Sequence, residues 1–344
     1  MVAGSLRGLL DEVAAHRGRS VVVSEEELSL ARPRHVRRLV RSLEGHRVFV
    51  VVGVRDMART LVSAWQQSVV NCSTTSWHDF ITSTRGEEHA PPSEGVAFWL
   101  RHDLLRVLDA WSTAVPLERI RLVTVPPPGT SSDLLLDRFA AAVDLPAGTW
   151  SRAPGAPRNV SLGAAELEAV RRLNEAVGGR LNTSQHRFVI EAGIRARLAG
   201  AGGRPLVLPA EHHAWARSYG ERLAEEVRRR GVTVVGSLDD LVPATAAADG
   251  PPPDEVGGAE LLAATEAALA SLALDHGRLF RRYRRAFFEQ EGRWPGAAEV
   301  LASQARAGSF RVRKWALFHA DHDPVMASAL RAYLGRTSPT RIRP

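Results

Sequence analysis

The sequence feature that most constrains the fold is an apolar segment followed directly by a helical pattern. Residues 48–54 (VFVVVGV) are apolar without interruption. Such a run is typical of a strand covered on both faces, as in the parallel sheets of α/β proteins. Asp56 can then cap a helix, because the apolar residues from Met57 onward recur at helical spacing. We therefore predict a buried strand that delivers Arg55 to its carboxyl end, with a helix immediately after it.

The predicted helix has an apolar side and a polar side. The polar side carries Arg59 or Thr60, then Ser63 and Gln67. Ligands of open α/β sheets bind in crevices at the carboxyl ends of the strands. An arginine and a hydroxyl group at such a place suit a phosphate. Arg55 and Ser63 are therefore candidate phosphate ligands.

The rest of the chain predicts an α/β architecture, a parallel sheet flanked by helices. Further strands are expected at 20–24, 119–125 and 232–237, between helices. The polar segment 82–93 predicts a surface loop that covers an acceptor. The remaining helices are expected at 5–16, from Pro33 to about 44, 77–81, 96–115, 131–143, 164–177, 184–199, 210–230, 294–307 and 315–334.

The composition of residues 243–258 is that of a linker. We accordingly predict an α/β domain over 1–242 and a helical, basic C-terminal extension over 259–344. No run approaches the ~18 apolar residues of a membrane helix, and the single Cys72 agrees with a reducing compartment, so a soluble cytoplasmic protein is expected. No spacing typical of metal ligands is present, and no metal is expected.

The net charge of +7 raises the question of nucleic-acid binding. Most arginines are interleaved with acidic residues, which argues against a dedicated binding surface. The strongest local case is 278–288 (RLFRRYRRAFF), where arginines alternate with aromatic residues. An amphipathic helix whose apolar stripe packs while its arginines stay in solvent explains this segment better. Nucleic acid is not the expected partner.

The acidic run at Glu25 and Glu26 has two interpretations. Carboxylates in a first helical turn are stabilised by the helix dipole. Alternatively, a carboxylate just past the strand predicted at 20–24 faces the same crevice as Arg55. There it could accept a proton from a substrate hydroxyl, as a general base must.

Several segments carry a resemblance to a known family. Arg55, with Ser63 eight residues later, resembles the signature of sulfotransferases that use 3′-phosphoadenosine 5′-phosphosulfate as donor. The chain also resembles an actinobacterial sulfotransferase-like group, in order, from about residue 5 to residue 241. The similar segments are VVVSEEELS, VGVRDMARTLVSAWQQSVVN, the FW…LLRVLDAW helix, RLVTVPPPG and LLLDRFAAAVDL.

The resemblance implies a P-loop NTPase-like sulfotransferase fold and transfer of a sulfuryl group to a hydroxyl or amine of a small molecule or glycan. Arg55 and Ser63 would bind the donor's 3′-phosphate. An acidic residue after the second strand would activate the acceptor. Related members read Ser-His-Glu there, which makes Glu26 the candidate base and puts Glu25 where the family has histidine.

The sequence departs from the family at its beginning. The family opens with a strand and a Gly-Thr-rich basic loop that binds the 5′-phosphosulfate, and residues 1–24 contain no such loop. A start codon placed too far downstream, a degenerate relative, or a partner chain that completes the site would each explain this. The functional alternatives are a non-catalytic nucleotide- or partner-binding protein on the same scaffold and an Arg-rich accessory protein that binds nucleic acid.

Overall fold

The computed structural model describes residues 3–86, 92–131, 133–146, 148, 161–195, 198, 203–243, 250–291 and 296. The chain divides into two compact units, residues 1–272 and 273–344. The sheet and the candidate site described below belong to the first unit. Among the described helices, none has the length and apolar character needed to cross a membrane.

Helices and strands alternate through most of the first unit. The strands are β1 (Val50–Val54), β2 (Ile120–Thr124) and β3 (Thr233–Val235). The α-helices are α1 (Ala3–Ala15), α2 (Pro33–Ser42), α3 (Met57–Val70), α4 (Trp77–Arg85), α5 (Pro92–His102), α6 (Leu104–Ser112), α7 (Leu134–Ala142), α8 (Ala164–Val177), α9 (Thr183–Arg187), α10 (His213–Arg230) and α11 (Gly258–Glu291). A π-helix covers Phe188–Arg195, and 3₁₀ turns cover Glu26–Leu30, Leu117–Arg119, Ala210–His212 and Leu238–Leu241.

The described strands form one parallel sheet in the order β1-β2-β3. Val50 of β1 is level with Ile120 of β2, and Arg121 is level with Thr233 of β3. This arrangement confirms the predicted α/β class, with a parallel sheet, flanking helices and a helical C-terminal region. It also puts the carboxyl ends of all three strands at the same edge.

The two faces of the sheet are covered differently. Ile120 and Leu122 are fully buried in a core that includes residues of α2, α6 and α10. Arg121 points to the opposite face, because side chains alternate along a strand. There its guanidinium donates to the carbonyl oxygen of Ala142 at the end of α7 (2.7 Å). Beside β1 this second face is open: Gly53 is exposed, and a Cβ atom there would meet no atom within 4 Å.

A second core holds α3 in place. Trp65 is fully buried and its ring meets that of Trp77 edge to face, with centroids 5.7 Å apart. The Trp65 indole N–H donates to the carbonyl oxygen of Thr75 (3.0 Å). The other large side chains of this cluster come from α4, α5, α8 and the π-helix: Phe80, Ile81, Phe98, Leu167, Val170, Ile190 and Ile194.

The strand predicted at 20–24 is wrong. These residues have no regular secondary structure and belong to no described ladder, and Val21, Val22 and Val23 are 44%, 56% and 45% exposed. Apolar, β-branched residues favour a strand only where neighbouring strands cover them. Here no described strand lies beside them, so the local pattern predicted burial that the described residues do not supply.

This correction gives a stability prediction. Val22→Ala should change the free energy of unfolding by less than about 0.5 kcal/mol, as expected for an exposed site. Val227→Ala, the same substitution at a fully buried residue of α10, should lower it by about 1.5–2 kcal/mol through the loss of two buried methyl groups. Urea denaturation followed by circular dichroism measures both. A large loss in the Val22 variant would mean that the segment is buried in solution.

The bounds predicted for the loop at 82–93 are also wrong at both ends. α4 continues to Arg85, and α5 already begins at Pro92. The two helices approach closely at Gly95, where a Cβ atom would lie only 2.2 Å from the Ser83 carbonyl oxygen. The Gly95 N–H donates to the Ser83 hydroxyl (2.7 Å). Glycine therefore permits a helix pair where the polar composition predicted an acceptor-covering loop.

The single helix predicted at 96–115 is in fact two helices. α5 ends at His102, and α6 begins at Leu104. Asp103 lies between them in an extended conformation, and its carboxylate accepts the backbone N–H of Arg106 (3.1 Å). This N-cap stabilises a new helix start.

The remaining expectations fall partly outside the described residues. The helices predicted at 294–307 and 315–334 and most of the connection 146–162 lie there. The domain limits at 242, 258 and 259 stay a prediction.

Candidate functional site

A large cavity runs along the outer edge of β1 in the described sheet, from His46 before the strand to Arg55 after it. Its volume is about 1990 Å³. Ligand pockets for small molecules usually measure about 300–1,000 Å³, so this cavity exceeds what one small molecule fills. All four residues singled out in the sequence line it: Glu25, Glu26, Arg55 and Ser63.

Arg55 directly follows the last residue of β1, as predicted. One of its terminal N–H groups donates to the carbonyl oxygen of Arg59 (2.8 Å), which orients the guanidinium. Burial, followed by the positive charge of Arg59, lowers the pKa of Arg55, and Asp56 partly opposes this effect. A partly buried cation beside a second cation is stabilised by a bound anion. Arg55 therefore has the surroundings of an anion ligand.

Arg59, on the polar side of the predicted helix, has a structural role. It forms an ion pair with Asp56, and it donates to the carbonyl oxygens of Pro126 (2.8 Å) and Val125 (3.2 Å). Asp56 also caps α3 by accepting the backbone N–H of Arg59 (2.9 Å). These bonds tie the start of α3 to the segment that leaves β2, and they fix the position of Arg55 between them.

Ser63 lies two turns into α3 on the side away from the core. It is exposed and lines the cavity together with Thr60 and Gln67, whereas Leu61 and Trp65 are fully buried. The Thr60 hydroxyl donates to the carbonyl oxygen of Asp56 (2.7 Å), so its proton is used within the helix. The predicted amphipathic character of this helix is confirmed.

Glu25 and Glu26 line the cavity from the segment that follows the exposed valines. Glu25 caps the 3₁₀ turn Glu26–Leu30, and its carboxylate accepts the backbone N–H of Glu27 (3.3 Å). The helix-start interpretation therefore holds for Glu25. Glu26 begins the turn and is exposed, and its side chain lines the cavity. The structure brings these carboxylates and Arg55 to one cavity and assigns neither carboxylate a reaction.

Three further residues beside Arg55 were missed in the sequence. They are Arg101 and His102 at the end of α5, and Tyr219 on α10. Because one continuous helix was predicted over 96–115, nothing distinguished His102 from the other residues inside that helix. The available signal was Asp103 followed by Leu104, an N-cap pattern that marks a helix start.

The environment of His102 depresses its basicity. Its ring packs on Phe98, with centroids 4.7 Å apart. The surrounding protein, and then the positive charges of Arg55 and Arg101, lower the pKa of His102 to about 4. His102 is therefore a neutral imidazole at pH 7, beside the cation at the end of β1.

Among the described residues, no group of three or more His, Cys, Asp or Glu side chains is arranged to hold a metal ion. No family model, curated protein or solved structure matches this chain significantly. The family resemblance therefore rests on the sequence segments alone.

Proposed function

We propose that this protein binds 3′-phosphoadenosine 5′-phosphosulfate and transfers its sulfuryl group to a hydroxyl or amine acceptor. The observation that carries the proposal is that Arg55 and Ser63 line the same cavity, one at the carboxyl end of β1 and the other on the exposed side of α3. The guanidinium and the hydroxyl together would bind the donor's 3′-phosphate. The fit is chemical: both groups donate hydrogen bonds, and a phosphate accepts them.

The open space beside β1 supports the same proposal. The resemblance implies an additional strand and a Gly-Thr-rich basic loop, which would bind the 5′-phosphosulfate. Val21, Val22 and Val23 are exposed and line the same cavity as the residues of β1. A strand between them would cover these valines and pair with the open edge of β1. Such a strand and loop would supply the reacting half of the donor site.

In the proposed reaction, the acceptor oxygen or nitrogen attacks the sulfur atom in line. The bond between sulfur and the 5′-phosphate oxygen breaks, and 3′-phosphoadenosine 5′-phosphate leaves with the bonding electrons. The acceptor proton passes to a carboxylate, for which Glu26 is the candidate. Glu25 is the second candidate, although its carboxylate also caps the turn. The single Cys72 fits a reducing compartment, and the proposal places the reaction in the cytoplasm.

Calorimetric titration with 3′-phosphoadenosine 5′-phosphate tests the phosphate clamp. Arg55→Ala should weaken binding by about 10- to 100-fold, because a hydrogen bond to a charged group contributes about 1.5–3 kcal/mol. Ser63→Ala should weaken it about 3- to 10-fold, as expected for a single hydroxyl donor.

Two matched variants control for charge and for helix composition. Arg229→Ala removes a positive charge at an exposed residue of α10, and Ser42→Ala removes a hydroxyl from the end of α2, outside the cavity lining. Both should bind as the unchanged protein does. The clamp assignment fails if Arg55→Ala binds equally well or if the unchanged protein does not bind the nucleotide.

A non-catalytic nucleotide-binding protein is the second candidate function. It is favoured by Glu25, one of the two candidate bases, whose carboxylate caps the turn Glu26–Leu30. Incubation with the radiolabelled sulfuryl donor and a panel of alcohols and amines separates the two candidates. Labelled product supports the transferase, whereas Arg55-dependent nucleotide binding without product supports the binding protein.

A further inference from the structure

A small second cavity lies behind Arg55, where the junction of α5 and α6 meets α10 and the end of β1. Its volume is about 130 Å³. A water molecule needs roughly 10–15 Å³ of such a cavity, so the space has ample room for one sulfate or phosphate ion. The polar side chains that line it are Ser29, Arg55, Thr60, Arg101, His102 and Tyr219.

The charged side chains that line this small cavity are both positive. Arg55 and Arg101 are cations, and among the described residues that line it there is no aspartate or glutamate. The larger cavity differs, because Glu25, Glu26 and Glu94 line it. Arg101 also forms an exposed ion pair with Glu27 (3.0 Å). A cavity with two guanidinium groups and no carboxylate in its lining favours an anion.

Two neutral groups add hydrogen-bond donors. Burial, followed by the negative charge of Asp103, raises the pKa of Tyr219 to about 12, so its phenol keeps its proton at pH 7. His102 is neutral, with one N–H donor and one acceptor nitrogen. The hydroxyls of Ser29 and Thr60 donate instead to the carbonyl oxygens of Glu26 and Asp56 (2.8 and 2.7 Å). The donors for an anion are therefore Arg55, Arg101, His102 and Tyr219.

We propose that this cavity, the anion pocket, binds one tetrahedral oxyanion of the sulfate or phosphate class, held by Arg55, Arg101, His102 and Tyr219. Ser63 and Gln67 of the clamp proposed for the nucleotide do not line this pocket, but Arg55, Arg101 and His102 line the larger cavity as well, so the two spaces adjoin. It shares Arg55 with that clamp, and it does not require sulfuryl transfer.

Binding to the anion pocket is coupled to protonation of His102. The charged and titratable groups around this imidazole are Arg55, Arg101, Tyr219, the adjacent Asp103, whose charge also acts on Tyr219, and, through Arg101, Glu27. A nearby anion raises the pKa of a histidine. His102 therefore binds a proton in the complex at pH values where it is still neutral in the free protein. Sulfate keeps both its charges near neutral pH. Its affinity should therefore rise as the pH falls, by on the order of 10-fold between about pH 7 and about pH 5.

Calorimetric titration with sodium sulfate, at constant ionic strength maintained with chloride, tests the pocket. His102→Gln should remove the extra pH dependence, and Tyr219→Phe should weaken sulfate binding by about 3- to 10-fold at pH 7. Ser42→Ala, which removes a hydroxyl outside the lining of both cavities, should bind sulfate as the unchanged protein does. Inorganic phosphate in a parallel titration shows which of the two oxyanions the pocket prefers.

The pocket is refuted if sulfate does not bind, or if both the His102 and the Tyr219 variants bind it with unchanged affinity and pH dependence. Should one variant fail to fold, the other still decides the question. This outcome is separate from that of the nucleotide clamp. Sulfate binding without nucleotide binding would leave the pocket standing and refute the clamp, and the reverse result would do the opposite.

Discussion

Trp65→Ala should lower the free energy of unfolding of the first unit by about 3–5 kcal/mol, the usual cost of removing a fully buried tryptophan. The substitution leaves a cavity between α3, α4 and α8. It also leaves the carbonyl oxygen of Thr75 without its indole donor and removes the edge-to-face contact with Trp77. Chemical denaturation followed by far-UV circular dichroism measures the loss.

Trp65→Phe separates the contributions. Phenylalanine keeps an aromatic ring for Trp77 but cannot donate to Thr75, so this variant should lose about 1–2 kcal/mol. The result also bears on the site, because Trp65 and Ser63 lie on opposite sides of the same helix. If α3 packs less tightly, Ser63 is held less precisely at the cavity. Nucleotide binding should therefore weaken in the alanine variant at temperatures where it is still folded. Equal stability of all three proteins would contradict the packing described here.

The site residues that could be predicted are those whose position depends on local structure alone. Arg55 ends a continuous apolar strand, and Ser63 follows it at a helical spacing that places it opposite Leu61 and Trp65. Both relations hold within one strand-helix unit, so no distant partner was needed to derive them. The same reasoning predicted β2, whose residues Ile120 and Leu122 are fully buried.

The features that were missed depend on contacts between distant segments. The valines at 21–23 have the composition of a buried strand, but burial requires neighbours that the described residues do not provide. α4 and α5 are packed together through Gly95, which carries no helical signal of its own. His102 reaches Arg55 only because Asp103 starts a new helix, and Tyr219 reaches it from more than a hundred residues further along the chain. Periodicity describes one element at a time and cannot supply such contacts.

A buried polar network at the carboxyl edge of the sheet links β2 to α7 and to the turn after β3. The carboxylate of Asp240 accepts hydrogen bonds from Arg138 (2.5 Å), from the Thr124 hydroxyl (2.7 Å) and from the backbone N–H of Ser237 (3.3 Å). Arg138 also donates to the carbonyl oxygen of Thr124 (2.7 Å). The side chains of Asp240 and Arg138 are only 10% and 15% exposed. Arg138 and Asp240 therefore neutralise each other's charge at a place that water reaches poorly.

Asp240→Ala should lower the free energy of unfolding by about 3–5 kcal/mol, because it leaves the buried guanidinium of Arg138 uncompensated. Arg138→Met in the same protein should restore part of this loss, since a buried pair replaced on both sides costs less than one that is broken. Denaturation of the two single variants and the double variant gives the coupling energy between the partners. Additive losses would show that the pair is not coupled in solution. A large coupling would identify this network as what holds the exit of β2, and with it the carbonyl oxygens that anchor Arg59 beside the phosphate clamp.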